Sequence, residues 1–460
     1  MSRAAFVAPA ARLRAMLLVI ADAGVVQLVG PLPAPQGDAV EALRRLERHT
    51  TEAPAHGTGG PLLSAAPQPV SELERAGRRD ILAGEVELER RAESAVRRSG
   101  FAVLVGWVPT AELPALTERL AAVGAAVVEL RRPLLVEPPT LLRPARSMRP
   151  FAPLVATYGA TRYADIDPTP FAAASFVLMF AMMFGDVGHG LALAALGLLV
   201  RRSRSPRLAG VRPLWPFAVA GGLAAAAFGV LYGEFLGPTG IVPALWLRPL
   251  DEPVQLLGAG LAVGALLLAV SYGIGILNRW REAGARAAVL APSGIAGLAV
   301  FSGGALAGIG VYLDTAVPLV AGAAVALGGV ALLFAGFVAE AGLSGTAVAE
   351  SLVEVLDAVI RVGANLVSFT RLAAFGLMHA ALSLVVLDAA RSLWDGPAGI
   401  AAAVAIFALG TAAAFALEAL VAGVQAMRLE YYELFSRVFA GEGEAFSPWR
   451  IPVVDPTGPA

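Results

Sequence analysis

Two arginines set inside long apolar segments, Arg371 and Arg428, are the residues of this 460-residue chain whose type and position point most directly to chemistry. A guanidinium stays charged at any physiological pH. Holding one within hydrocarbon costs about 2.5–3.5 kcal/mol on insertion scales, so such groups usually mark a path for ions or substrates. Around Arg371, the residues Glu354, Asp357, Arg361, Asn365, Ser368, Arg371 and His379 follow one another at steps of three, four or eight, which gathers them near one helical face. Around Arg428, Thr411, Glu418 and Gln425 repeat every seven residues, and Arg428 follows three beyond Gln425, close to the same stripe of its own helix. The alternative to an ion path is a structural ion pair between packed helices. Glu418 offers a local anion but lies ten residues from Arg428, about 15 Å along a helix axis. The counter-charge for the arginines is therefore expected from another chain.

The elements that must carry these stripes are membrane spans. With 57% hydrophobic residues, 15% charged residues and a mean hydropathy of +0.69, the chain is far more apolar than a water-soluble globular protein. From Pro168 onward, apolar stretches near the length needed to cross about 30 Å of hydrocarbon alternate with short polar ones. The expected fold is mainly α, a polytopic membrane protein with about eight spans at 169–185, 187–200, 214–236, 254–277, 286–312, 316–339, 350–391 and 397–438. The first two are short, and the last two are long enough to tilt strongly or project from the bilayer. Residues 1–150 read as a small cytoplasmic α/β domain, 151–440 as the membrane domain and 441–460 as a cytoplasmic tail. The apolar run Met16–Ile20 behind Arg12 and Arg14 is cut short by Asp22 and lacks a cleavage site, so no signal peptide is expected. Arg201, Arg202, Arg204, Arg207 and Arg212 between spans two and three, and Arg279, Arg281 and Arg286 between spans four and five, place those segments in the cytoplasm. Both termini then lie there too, and span seven runs from inside to outside.

Composition removes several function classes. The formal net charge of −1 does not suit a general nucleic-acid binder. Without cysteine there is no disulfide, thiolate metal site or thiol nucleophile. Every one of the 35 basic residues is arginine, so neither a Walker A lysine nor a Schiff-base amine is available. Any ATP hydrolysis that drives this chain belongs to another one. His49, His56, His189 and His379 are scattered without metal-ligand spacing, so no metal or other cofactor is expected.

Four stretches in order carry a family resemblance: Tyr163–Pro170 with Met182–Gly190, Leu231–Gly237, Asn365–Ser383, and Gln425–Glu433 with Gly441–Phe446. Together they resemble V-type ATPase subunit a, called subunit I in bacteria, across the whole membrane half. The resemblance implies a non-catalytic membrane stator that holds two offset half-channels, most simply for protons, against a rotating proteolipid ring whose subunits each carry a buried carboxylate. Arg371 matches the family's essential arginine and Arg428 its second one. Asp357 falls on the cytoplasmic side of Arg371, His379 and Glu418 on the outer side, with Asn365, Ser368 and Gln425 along the same stripes. Asp186 and His189, within Gly-Asp-x-Gly-His-Gly, are expected to turn the chain between two short spans and to satisfy its polar groups. Implied partners are the ring, the peripheral stalk, the ATPase head and membrane lipid; the excess of arginine and alanine suggests a prokaryotic cell membrane. The family's long N-terminal arm is much shorter here, although Leu13–Leu28 and Gly106–Thr110 still resemble its proximal lobe, and this puts stalk contact in question. The rival reading is a stand-alone transporter or channel for an anionic substrate.

Overall fold

A computed structural model describes residues 1–49, 63, 66–133, 136–142, 144–145, 148–159, 161–342, 344–439 and 443–451. It divides into two units: Met1–Leu141 with the segment from Gly443, and Leu142–Glu442. His56, and Gly441 with Glu442 of the closing motif, lie outside the described residues.

The first unit is a small α/β fold. Strands β1 (Ser2–Pro9), β2 (Gln27–Val29), β3 (Val96–Arg98), β4 (Phe101–Val108) and β5 (Ala126–Leu130) form an antiparallel sheet of order β2-β4-β1-β5, with β3 also on β4. Helices α1 (Leu13–Ala23), α2 (Asp38–His49), α3 (Val70–Arg75), α4 (Arg79–Glu93) and α5 (Leu113–Ala121) complete it. Phe6, Met16, Leu17, Ile20, Ile81 and Leu88 fill one core, because the apolar faces of the sheet and of these amphipathic helices have nothing else to bury against. The chain's closing segment adds to this core: Trp449 and Ile451 are buried in it, and the Trp449 indole donates to Glu87 at 3.1 Å.

The second unit is helical. After α6 (Ala152–Tyr158) come α7 (Thr169–Met183), α8 (Val187–Arg202), α9 (Trp215–Tyr232), α10 (Pro253–Leu290), α11 (Ile295–Tyr312), α12 (Ala316–Ala341), α13 (Gly345–Ser368), α14 (Thr370–Ser392) and α15 (Gly396–Leu429). A π-helical turn, Glu430–Phe435, follows and leads into α16 (Ser436–Val438). Among the described residues six helices are long and apolar enough to span a bilayer, so the chain is a polytopic membrane protein. At 15 and 16 residues, α7 and α8 are too short to count with them. Leu199, Val317, Leu327, Val385 and Leu409 point outward, as they should where the solvent is lipid and offers apolar side chains no reason to hide. Glycine sets the closest approaches: a Cβ on Gly222 of α9 would stand 2.5 Å from the Gly190 carbonyl of α8.

Three expected boundaries shift. The fifth span begins at Ile295 rather than 286, because α10 continues to Leu290 through a break at Gly284 (φ 79°) and is stopped by Ala291-Pro292-Ser293-Gly294. Arg279, Arg281 and Arg286 thus sit on a polar extension of α10 rather than in a loop. The seventh span is interrupted at Phe369, and the eighth loosens into the π-helical turn two residues past Arg428.

Candidate functional site

The break at Phe369 decides where Arg371 stands. Phe369 keeps near-helical angles (φ −72°, ψ −9°), but its N–H bonds three residues back, to Leu366. That tighter turn opens the regular ladder just before α14. Arg371, in the first turn of α14, donates to the Ser368 carbonyl at 3.3 Å and reaches Glu433 of the π-helical turn at 3.5 Å. Its side chain keeps 30% of its surface exposed. A single long contact with one carboxylate leaves most of the five guanidinium donors open to a further anion. Arg428 is exposed as well.

Behind Arg371 towards the start of α13, Asp357 and Arg361 pair on the helix surface. With its amide oriented to satisfy both ends, Asn365 donates to the Arg361 carbonyl and accepts from Arg437, each at 3.1 Å. Arg437 is buried and lies over the Tyr272 ring at 5.3 Å. Asp357, Arg361 and Arg437 border a cavity of about 780 Å³, also lined by Arg279, Arg286, Glu340 and Glu354. Ser368 turns back on the Ala364 carbonyl at 3.0 Å.

Beyond Arg371 lies a buried polar cluster built from four segments. His379 of α14 and Glu418 of α15 meet through His379 Nδ1 and Glu418 Oε2 at 2.5 Å, uniting two residues that the sequence stripes had placed on separate helices. Asp186 caps α8: one carboxylate oxygen accepts from the His189 N–H at 2.8 Å and the other from the Gly237 N–H at 2.7 Å. The Val187 N–H donates to the Glu234 carbonyl at 3.0 Å. Those bonds tie the α7–α8 turn to the loop after α9 and carry Glu234 into the cluster, its carboxylate 3.8 Å from His379 Nε2. The imidazoles of His189 and His379 stand edge to face with centroids 5.4 Å apart. Phe184 and Phe415 wall the cluster. Asp186 thus holds the turn, as expected of it, whereas His189 contributes only its backbone N–H there; the His189 ring faces His379 and has no hydrogen-bond partner among the described residues.

Sequence reasoning missed Glu234, Glu433, Glu430 and Arg437 as individual groups. Glu430 is fully buried and accepts from the Ser175 hydroxyl at 2.6 Å. A usable signal existed in each acidic residue within an otherwise apolar run. Gln425 keeps its place on the Arg428 stripe, and its side-chain oxygen has no hydrogen-bond partner among the described residues.

The arrangement is an exposed arginine with a polar cavity on one side and a buried acid–imidazole cluster on the other, in the membrane unit of a polytopic protein. A family model described as "V-type ATPase 116kDa subunit family" matches residues 94–207. The A-type ATP synthase subunit I of Pyrococcus abyssi is 30% identical across 75% of this chain and 53% of that protein. The chain is a homologue of the V-type ATPase 116 kDa subunit family. The subunit I of Thermococcus kodakarensis is 28% identical over 75% of this chain and 54% of its own length. The human V-type proton ATPase 116 kDa subunit a 3 is 35% identical over 30% of this chain and 19% of its own. The chain spans about half the length of the curated subunit I relatives it matches.

Proposed function

We propose that the chain is the membrane stator of a rotary V/A-type ATPase, and that Arg371 faces the buried carboxylates of a proteolipid ring. The observation that carries this reading is the partly exposed guanidinium of Arg371, held by the Ser368 carbonyl and one long contact to Glu433, between two polar regions. A fixed cation lowers the pKa of an approaching carboxylate and makes it release its proton. It also opposes a direct leak of cations between the two regions. Taking the arginine-rich segments as cytoplasmic, the cavity lined by Asp357 and Arg361 is the inner half-channel, and Asn365 and Ser368 continue it along α13 towards Arg371. The cluster of His379, Glu418 and Glu234 is then the outer one. Arg428 and Gln425 extend the ring-facing surface, and both termini are cytoplasmic. Head and peripheral-stalk subunits complete the machine and hydrolyse or make the ATP.

The deciding experiment is Arg371→Ala in the assembled complex. We expect ATP-driven proton uptake into vesicles to vanish while the complex still purifies intact. Substantial pumping by that variant would overturn the stator reading.

A further inference from the structure

The buried cluster around His379 holds more ligand atoms than it uses. Both ring nitrogens of His189, Nε2 of His379 and Oε2 of Glu234 have no hydrogen-bond partner among the described residues, although each of these residues is at most 3% exposed. Buried polar atoms are nearly always paired, because leaving one bare costs the full desolvation of that group. One ligand atom each from Asp186, His189 and His379 lie within 4.8 Å of one another, and Glu234 Oε2 stands 3.8 Å from His379 Nε2.

We propose that Asp186, His189, Glu234 and His379 form a binding site for a divalent transition-metal ion of the zinc class. Two imidazoles and two carboxylates are a donor set that zinc accepts in four-coordinate, roughly tetrahedral geometry. Magnesium and calcium, which require six or more oxygens, are poorly served by it. At Zn–N and Zn–O lengths near 2.1 Å, tetrahedral ligand atoms sit about 3.4 Å apart, compared with at most 4.8 Å among Asp186, His189 and His379 and 3.8 Å between Glu234 and His379. The support that such a site needs is already in place. Glu418 holds His379 through Nδ1 at 2.5 Å, which turns Nε2 towards the cluster in the carboxylate–histidine–metal pattern. Both oxygens of Asp186 accept backbone N–H groups, yet each retains a lone pair for a metal. Access exists as well: a cavity of about 500 Å³, lined by Glu234, Pro238, Arg248 and Asp251, reaches the cluster at Glu234. The two histidines lie 190 positions apart in the sequence, so ligand spacing along the chain could not have announced the site.

Binding is tested on the purified full-length chain in detergent, stripped of metal with a chelator and titrated with zinc chloride by calorimetry. We expect one high-affinity zinc per chain, retained when His49 and His56 are both replaced by alanine. The affinity should fall at least about tenfold in His189→Ala and in Glu234→Gln. X-ray absorption at the zinc edge of the unmodified chain guards against variants that merely misfold, and should show scattering from two imidazoles. Fewer than two imidazoles, or equal affinity in parent and His189→Ala chains that elute alike on gel filtration, would overturn the site. A consequence that rests on the stator reading is that micromolar zinc slows proton pumping and a chelator restores it. If zinc binds as stated while Arg371→Ala still pumps, the stator reading fails and the metal site stands.

Discussion

The contact between His379 Nδ1 and Glu418 Oε2 at 2.5 Å is the shortest link between α14 and α15 in the polar cluster, and its chemistry sets what Glu418 contributes. A carboxylate on an imidazole makes a charge-assisted bond, roughly twice as strong as a neutral one. Glu418→Gln keeps the shape and an acceptor but loses the charge, a difference of about 1.4 kcal/mol, or tenfold in an equilibrium. Pumping by Glu418→Gln is therefore expected to fall about tenfold, measured as initial proton uptake per ATP hydrolysed, whereas Arg371→Ala abolishes it. Equal and total loss in both variants would show that Glu418 is as indispensable as the arginine. At this scale the sequence revealed much: the 3.6-residue periodicity of α13, α14 and α15 picked out Arg371, His379 and Glu418 from burial cost alone. It could not reveal Glu234 or His189 as their neighbours. Those residues reach the cluster through the Asp186 cap and a turn after α9, which are tertiary contacts without a period.

Elements are held by a second set of polar joints, and one of them is sensitive to pH. In the segment before α7, Asp167 accepts from both the backbone and the hydroxyl of Thr169, and the Ile166 N–H donates to Asn278 of α10. Asn278 in turn donates to the Val438 carbonyl. Beside this joint, burial and a hydrogen bond with Glu282 push the Asp165 carboxyl up to about 7, while Arg279 and Arg162 engage Glu282 at 2.7 and 3.4 Å. The folded chain therefore holds a proton that an unfolded carboxyl, titrating near 3.9, releases. The stabilisation is complete below about pH 4 and is lost as pH rises through about 7. Asp165 is only half-buried, which moderates the effect. Asp165→Asn, which mimics the protonated acid, should raise the thermal midpoint in detergent by a few degrees at about pH 8, by roughly a third as much at about pH 5, and not at all near pH 3. An identical pH slope in parent and variant would exclude the shared proton. The sequence marked Tyr163–Pro170 as special through resemblance but not as a joint, because its partner Asn278 lies 112 residues away from Ile166. The break at Phe369 was equally invisible: it involves neither proline nor glycine, the usual causes of a kink.

For the whole molecule, the decisive property is incompleteness. Arg371 and Arg428 are exposed in part or fully, on helices whose remaining surface is apolar and suited to lipid. A guanidinium left facing hydrocarbon is costly, so on the proposed stator reading the face that carries these arginines meets a partner with a carboxylate. A proteolipid ring supplies that anion once per subunit and lets it move past. A stand-alone transporter for an anionic substrate would instead close this face against its own helices or a second copy. Tagged chain extracted from its native membrane in mild detergent separates the two. Recovery of small helical proteolipids with an internal carboxylate, together with ATP-hydrolysing subunits, is expected, and Arg371→Ala should leave that recovery intact because a single surface side chain seldom decides whether subunits assemble. Recovery of the chain alone, or only with copies of itself, would move the argument to anion transport through the Arg371 and Arg428 face.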